Sequence, residues 1–194
     1  MGAVKNLCKR GIVLDQGQVA FDGGVEEAVK HYTNKTDFTA TTNIVDNIKS
    51  KIDGLKITKM SFNGSSSVQS TISNGQELVD VLIEGDTKYA LQDADVIVVF
   101  RKTNGEASAT FSEGHYKART HTILPGKFSI HKEIYIPKYI AQGQYIVDIC
   151  IHKPNSCFYM NASACAFVQI EGGCDKYGYA LIAQRDGFLG LESK

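Results

Sequence analysis

Asp95-Val96-Ile97-Val98-Val99-Phe100-Arg101-Lys102, then Thr103-Asn104-Gly105, then Glu106-Ala107-Ser108-Ala109-Thr110-Phe111-Ser112, decides the fold class of this chain. Both arms are short, and the first is rich in β-branched and aromatic side chains. Asn-Gly between them tolerates the positive φ of a tight hairpin. Alternation sends Val96, Val98 and Phe100 inward and leaves Ile97, Val99 and Arg101 outward, because successive side chains of a strand point to opposite faces.

The same kind of run recurs at residues 55–62, 77–84, 127–136, 144–152 and 157–171, with Asn63-Gly64 and Asn74-Gly75 as further turns. Ile134-Tyr135-Ile136 ends at Pro137, which lacks a ladder donor, and the chain re-enters through Gly143-Gln144-Tyr145-Ile146-Val147. Short strands separated by turn residues predict an all-β domain over 54–171, an Ig-like or jelly-roll-type antiparallel β-sandwich. Residues 33–53 read as a polar, Thr-rich linker with a short helical turn near Ile44 to Ile48. The tail, 172–194, opens on Gly172-Gly173 and offers one more β-like run, which predicts a homodimer, with exchange of that strand as one route to it.

Ahead of the linker, residues 1–32 read as a strand, a Gln16-Gly17 turn, a second strand and a helix. A hairpin plus helix of that size is an appendage, too small for a domain of its own. Lys plus Arg and Asp plus Glu balance at 21 each, so no whole-chain field favours nucleic acid as a partner. The run Val96 to Phe100 is far shorter than the roughly 20 apolar residues of a spanning helix, and the start lacks the pattern of a secretory leader. Five cysteines without a C-x-x-C or zinc-finger spacing read as reduced thiols of a cytosolic protein, with no metal and no cofactor expected.

Cys8, Arg10, Leu14, Gly17 and Gly23, with Glu26 and Glu27 opening the helix, resemble the last segment of the nucleotide-binding domain of ABC transporters. The ATP-handling motifs of that family lie upstream of this segment. Gly126-Lys127 is followed by Phe128, so it is no phosphate-cradling loop, and the chain is expected not to be an enzyme; ATP and Mg belong only to a full-length parent. A β-sandwich behind such a tail is similar to the C-terminal domain of the Wzt family, ATP-binding subunits of O-antigen polysaccharide exporters.

That resemblance implies a carbohydrate-binding domain that recognises the modified end of a lipid-linked O-antigen polysaccharide and selects it for export. It implies as partners the parent's own nucleotide-binding domain and a transmembrane subunit, and a cytoplasmic location peripheral to the bacterial inner membrane. A structural dimerisation module without glycan contact is the alternative.

For the strand at 144–152 alternation predicts Tyr145, Val147, Ile149 and Ile151 inward and Ile146, Asp148, Cys150 and His152 outward. For the last strand it predicts Phe158, Met160, Ala162, Ala164 and Ala166 inward and Tyr159, Asn161, Ser163 and Cys165 outward. If these strands neighbour the one at 95–102, Arg101, Asp148, His152, Tyr159 and Asn161 share an outer face, with Ser108 and Thr110 extending it. A tyrosine ring suits the C–H face of a pyranose, and carboxylate, amide and guanidinium groups suit its hydroxyls. The loop bearing His115, Tyr116, Lys117, Arg119 and His121 is expected beside that face, where Arg119 or Lys117 meets an anionic end group. A hydrolase would need paired carboxylates across a cleft, and Glu133 and Asp148 carry no accompanying motif.

Overall fold

A computed structural model describes residues 7–15, 17–34 and 42–171. Within the first part, β1 (Arg10–Asp15) and β2 (Gln18–Gly24) pair antiparallel, and α1 (Val25–Asn34) follows with Glu26 and Glu27 at its positive end. Val13, Val25, Ala28 and Val29 are buried between hairpin and helix. Gly11 permits this contact, since a Cβ there would collide with the Ala28 methyl. Arg10 closes the hairpin with two hydrogen bonds to the Asp22 carboxylate, at 2.7 and 2.5 Å. Ile12, Leu14 and Val19 remain exposed.

The second part is a sandwich. Its smaller sheet is three-stranded: β10 (Gly126–Tyr135), β6 (Leu78–Thr87) and β4 (Leu55–Phe62), in that order and antiparallel. The larger sheet runs β3 (Ser50–Lys51), β12 (Cys157–Ile170), β11 (Gly143–Lys153), β7 (Leu91–Lys102) and β8 (Ala107–Ser112). β5 (Gln69–Ile72) lies parallel beside β12, and β9 (His121–Ile123) pairs with β7. The antiparallel sandwich read from the sequence is thereby seen, with the strands at 95–102, 144–152 and 157–171 adjacent in one sheet.

Inward residues of both sheets form a single core: Met60, Phe62, Val81 and Ile83 from one side meet Val98, Phe100, Val147 and Ile149 from the other. Phe62 and Phe100 touch edge to face across the interface, with ring centroids 5.9 Å apart and planes at 66°. Tyr145, at the start of β11, buries its ring and donates its hydroxyl to the Ala141 carbonyl at 2.9 Å. A buried tyrosine bonded back to the chain just upstream is the corner that Ig-like sandwiches use. Burial pushes its phenol up to about 12.

The molecule departs from the sequence expectation at three points. The sandwich starts before Gly54, because the 3-10 turn Ile44–Asn47 buries Ile44 in the core and β3 pairs with β12. Alternation fails twice along β12. Val147 pairs with Ala166 and Ile149 with Ala162, so Ser163, Ala164 and Cys165 all lie opposite Asp148, and Ala164 takes φ 51°. Cys165, expected outward, is therefore fully buried.

The second irregularity, near His152, turns Phe158 out to 56% exposure and packs Tyr159 against the core, reversing the two predictions. Edge arrangement completes the larger sheet: β3 covers β12 at Met160 and Asn161, and β5 covers it from Phe167 to Ile170. The tail at 172–194, with its expected swapped strand and dimer, lies outside the described residues. Among the described residues, no helix is long and apolar enough to cross a membrane.

Candidate functional site

The outer row of β7, β11 and β12 brings Arg101, Asp148 and Asn161 onto one face, but most of their polar groups are already engaged. Arg101 Nε donates to Asp148 Oδ2 at 2.6 Å and its Nη1 donates to the Gly105 carbonyl at 3.2 Å. The other Asp148 oxygen accepts the Ala164 amide at 2.8 Å, which ties down the bulge in β12. Asn161 Oδ1 accepts from Ser163 Oγ at 2.8 Å and from Cys150 Sγ at 3.3 Å. Burial pushes the Cys150 thiol up to about 11, so it behaves as a small packed side chain.

Tyr159 has left this face. Its hydroxyl donates to the Gln92 carbonyl at 2.7 Å. Asp148, an unusual residue for a central strand, thus serves the fold here: its partners are the guanidinium and an amide that the bulge frees from the ladder.

His152 lies at the far end of β11, directly opposite Asp95 of β7. Its Nε2 stands 3.3 Å from Asp95 Oδ2, and its ring stacks on His115 at 5.0 Å and on Phe158 at 6.0 Å. Burial lowers its pKa, and the neighbouring Asp95 carboxylate opposes that shift. Ser112 Oγ donates to the same Asp95 oxygen at 2.6 Å and accepts the His115 amide at 3.1 Å, capping α2 (Glu113–Lys117).

α2 also forms one wall of a groove between the open edges of the two sheets, about 390 Å³ in volume. Phe100, Phe111, Ile134 and Ile136 make its apolar floor; Thr110, Glu133, Tyr116, Lys117 and Tyr135 supply polar and aromatic groups around it. Tyr116 is 69% exposed and Tyr135 62%, so both rings stand free to meet a ligand. Glu113 crosses to Lys132 of β10 at 2.5 Å and holds wall to wall. Arg119 is exposed beyond the helix, with its amide on the Glu113 carbonyl at 3.2 Å.

The structure therefore brings Tyr116 and Lys117 to a concave site, and leaves Arg101, Asp148 and Asn161 on a sheet face where they are bonded within the protein. Sequence reasoning missed Tyr135 as a partner for Tyr116. The alternation of Ile134-Tyr135-Ile136 was its one signal. A second, more polar hollow of about 630 Å³ is lined by Asn63, Gln69, Thr71, Gln144 and Gln169 among others.

Hydrogen bonding from Lys132 holds the Glu113 carboxyl below its ordinary value of 4.5. A depressed carboxylate stabilises the fold above its unfolded value, and that contribution fades as pH falls through the folded one. The stability difference between the native chain and Lys132→Met is therefore expected to shrink on acidification below 4.5, as read by denaturant titration across pH. A difference that is flat with pH would remove this strap from the groove.

No protein-family model and no curated protein matches the chain. Among solved structures, the C-terminal domain of wzt superposes with a TM-score of 0.52 over 73% of this chain and 87% of that one, at 11% identity. The chain resembles a Wzt C-terminal domain in fold. Lower TM-scores relate it to the DNA glycosylase AlkC of Pseudomonas fluorescens (0.40, 13% identity, 60% of this chain and 30% of that one) and to the cupredoxin domain of amoB from Nitrosocaldus yellowstonii (0.33, 9% identity, 63% and 90%). Neither bears on what this chain binds.

Proposed function

We propose that this chain is a non-catalytic polysaccharide-binding domain that serves an ABC-type polysaccharide exporter, reading the end of an O-antigen chain on the cytoplasmic side. The observation that carries the reading is the groove with Tyr116 and Tyr135 at its rim. Exposed rings offer faces to pyranose C–H groups, while Thr110, Glu133 and Lys117 offer the acceptors and donors that hydroxyls or an anionic end group require. The likeness in fold to the Wzt C-terminal domain supports placing it in an exporter, as does the hairpin and helix at residues 10–34, whose sequence resembles the end of an ABC nucleotide-binding domain.

Calorimetric titration tests the proposal, using lipid-free O-polysaccharide of the source strain with and without its terminal modification. The modified polymer is expected to bind at least tenfold more tightly. Tyr116→Ala is expected to weaken binding by about tenfold or more, the usual loss when an exposed aromatic anchor is removed. Polymer length stays constant on prolonged incubation if the domain only binds. Equal, negligible binding to both polymers overturns the reading and favours a structural module. Chemical-shift changes confined to the hollow at Gln69, Gln144 and Gln169 would overturn the groove as the site.

A further inference from the structure

Three potential metal ligands converge from three separate elements: Asp95 from β7, His152 from β11 and His115 from α2. One donor atom of each lies within 4.8 Å of the other two. Asp95 is buried to 1% side-chain exposure, and its Oδ2 is already held by Ser112 and His152. Its Oδ1 is buried with no hydrogen-bond partner among the described residues. A native fold seldom leaves a carboxylate oxygen orphaned in this way, and an ion is among the standard explanations.

We propose that Asp95, His115 and His152 bind a first-row divalent cation, zinc being the natural fit to two imidazoles and one carboxylate. The site goes beyond glycan recognition and does not depend on it. Zinc bonds of about 2.0–2.2 Å bring donors to about 3.3 Å from one another, so the ligands must draw in modestly. His115 is exposed on a short helix, with its ring on His152 and its Nδ1 3.1 Å from Ser112 Oγ, so metal binding at Nδ1 would exchange that hydroxyl contact for the ion.

The surroundings are built for the site. Ser112 Oγ fixes the carboxylate by donating to Oδ2, the role that outer hydrogen bonds play around metal ligands. Gly114 lets the helix backbone come close: a Cβ there would lie 2.9 Å from Asp95 Oδ2 and 2.8 Å from Pro154 Cγ. Phe158 stacks on His152 and limits the directions from which water reaches that ring. Three protein ligands leave a tetrahedral ion one position for water. Because His115 and Tyr116 are neighbours on α2, the bound ion also anchors the helix that walls the groove.

The test uses the full chain after chelator treatment, titrated with zinc chloride by calorimetry and with cobalt chloride by visible absorption. One equivalent is expected to bind, with cobalt showing tetrahedral d–d bands and no thiolate charge-transfer band. His115→Ala is expected to weaken zinc binding at least tenfold and to abolish any rise in melting temperature on zinc addition. That residue is exposed, so circular dichroism should show an unchanged fold. Absence of stoichiometric binding, binding unchanged in His115→Ala, or a cobalt spectrum dominated by thiolate would each overturn the site.

Discussion

Phe62→Ala is expected to lower the free energy of unfolding by about 3–5 kcal/mol, the range for emptying a fully buried aromatic site. Phe62 closes β4, has no exposed surface, and meets Phe100 of the opposite sheet edge to face. The residue that follows, Asn63, already sits at φ 51° in a tight turn with Gly64 at φ 74°, so the backbone has little freedom to close the cavity. Denaturant titration should show an earlier midpoint at unchanged slope, since the area exposed on unfolding barely changes. A loss below about 1 kcal/mol would mean that the sheets are joined elsewhere.

Asp148→Ala comes second, with an expected loss of about 2–3 kcal/mol. Removal of the carboxylate leaves the Ala164 amide without its acceptor and Arg101 without its short partner. Asp148→Asn keeps an oxygen for the amide and forfeits only the charge on the Arg101 side, so its loss should be about half as large. Glycan affinity measured on the folded fraction of either variant should match the native chain. Affinity that collapses while stability holds would return Asp148 to the list of ligand contacts and move the site from the groove to the sheet face.

Much of the sandwich was legible because Val96, Val98 and Phe100 alternate cleanly with Ile97, Val99 and Arg101, and because Asn104-Gly105 marks the hairpin. Bulges were not legible. Ser163-Ala164-Cys165 carries no glycine or proline to signal the break, and the feature that stabilises it, Asp148, lies on another strand. That one interruption moved Cys165, and the irregularity at His152 exchanged Phe158 with Tyr159. The expected sugar face therefore lost its aromatic residue.

The groove escaped for a different reason. Its walls come from edges of different sheets, and the approach of β10 to α2 is a tertiary fact with no counterpart in strand periodicity. Asp95, His115 and His152 are likewise scattered along the chain, so spacing rules for metal motifs find nothing there. What the sequence did supply was Tyr116 and His115, adjacent residues that the short helix sends to separate tasks.

The far margin of the larger sheet is divided: β3 occupies one part of β12, β5 another, and the Ala164 kink falls between them. A newcomer strand therefore finds no long straight template along β12. Fibre-like stacking of one molecule on the next is discouraged on that side by the split, with exposed Lys51 of β3 adding a charge at the margin. Deleting β5 would strip this insulation, and the resulting chain should form concentration-dependent aggregates where the parent does not.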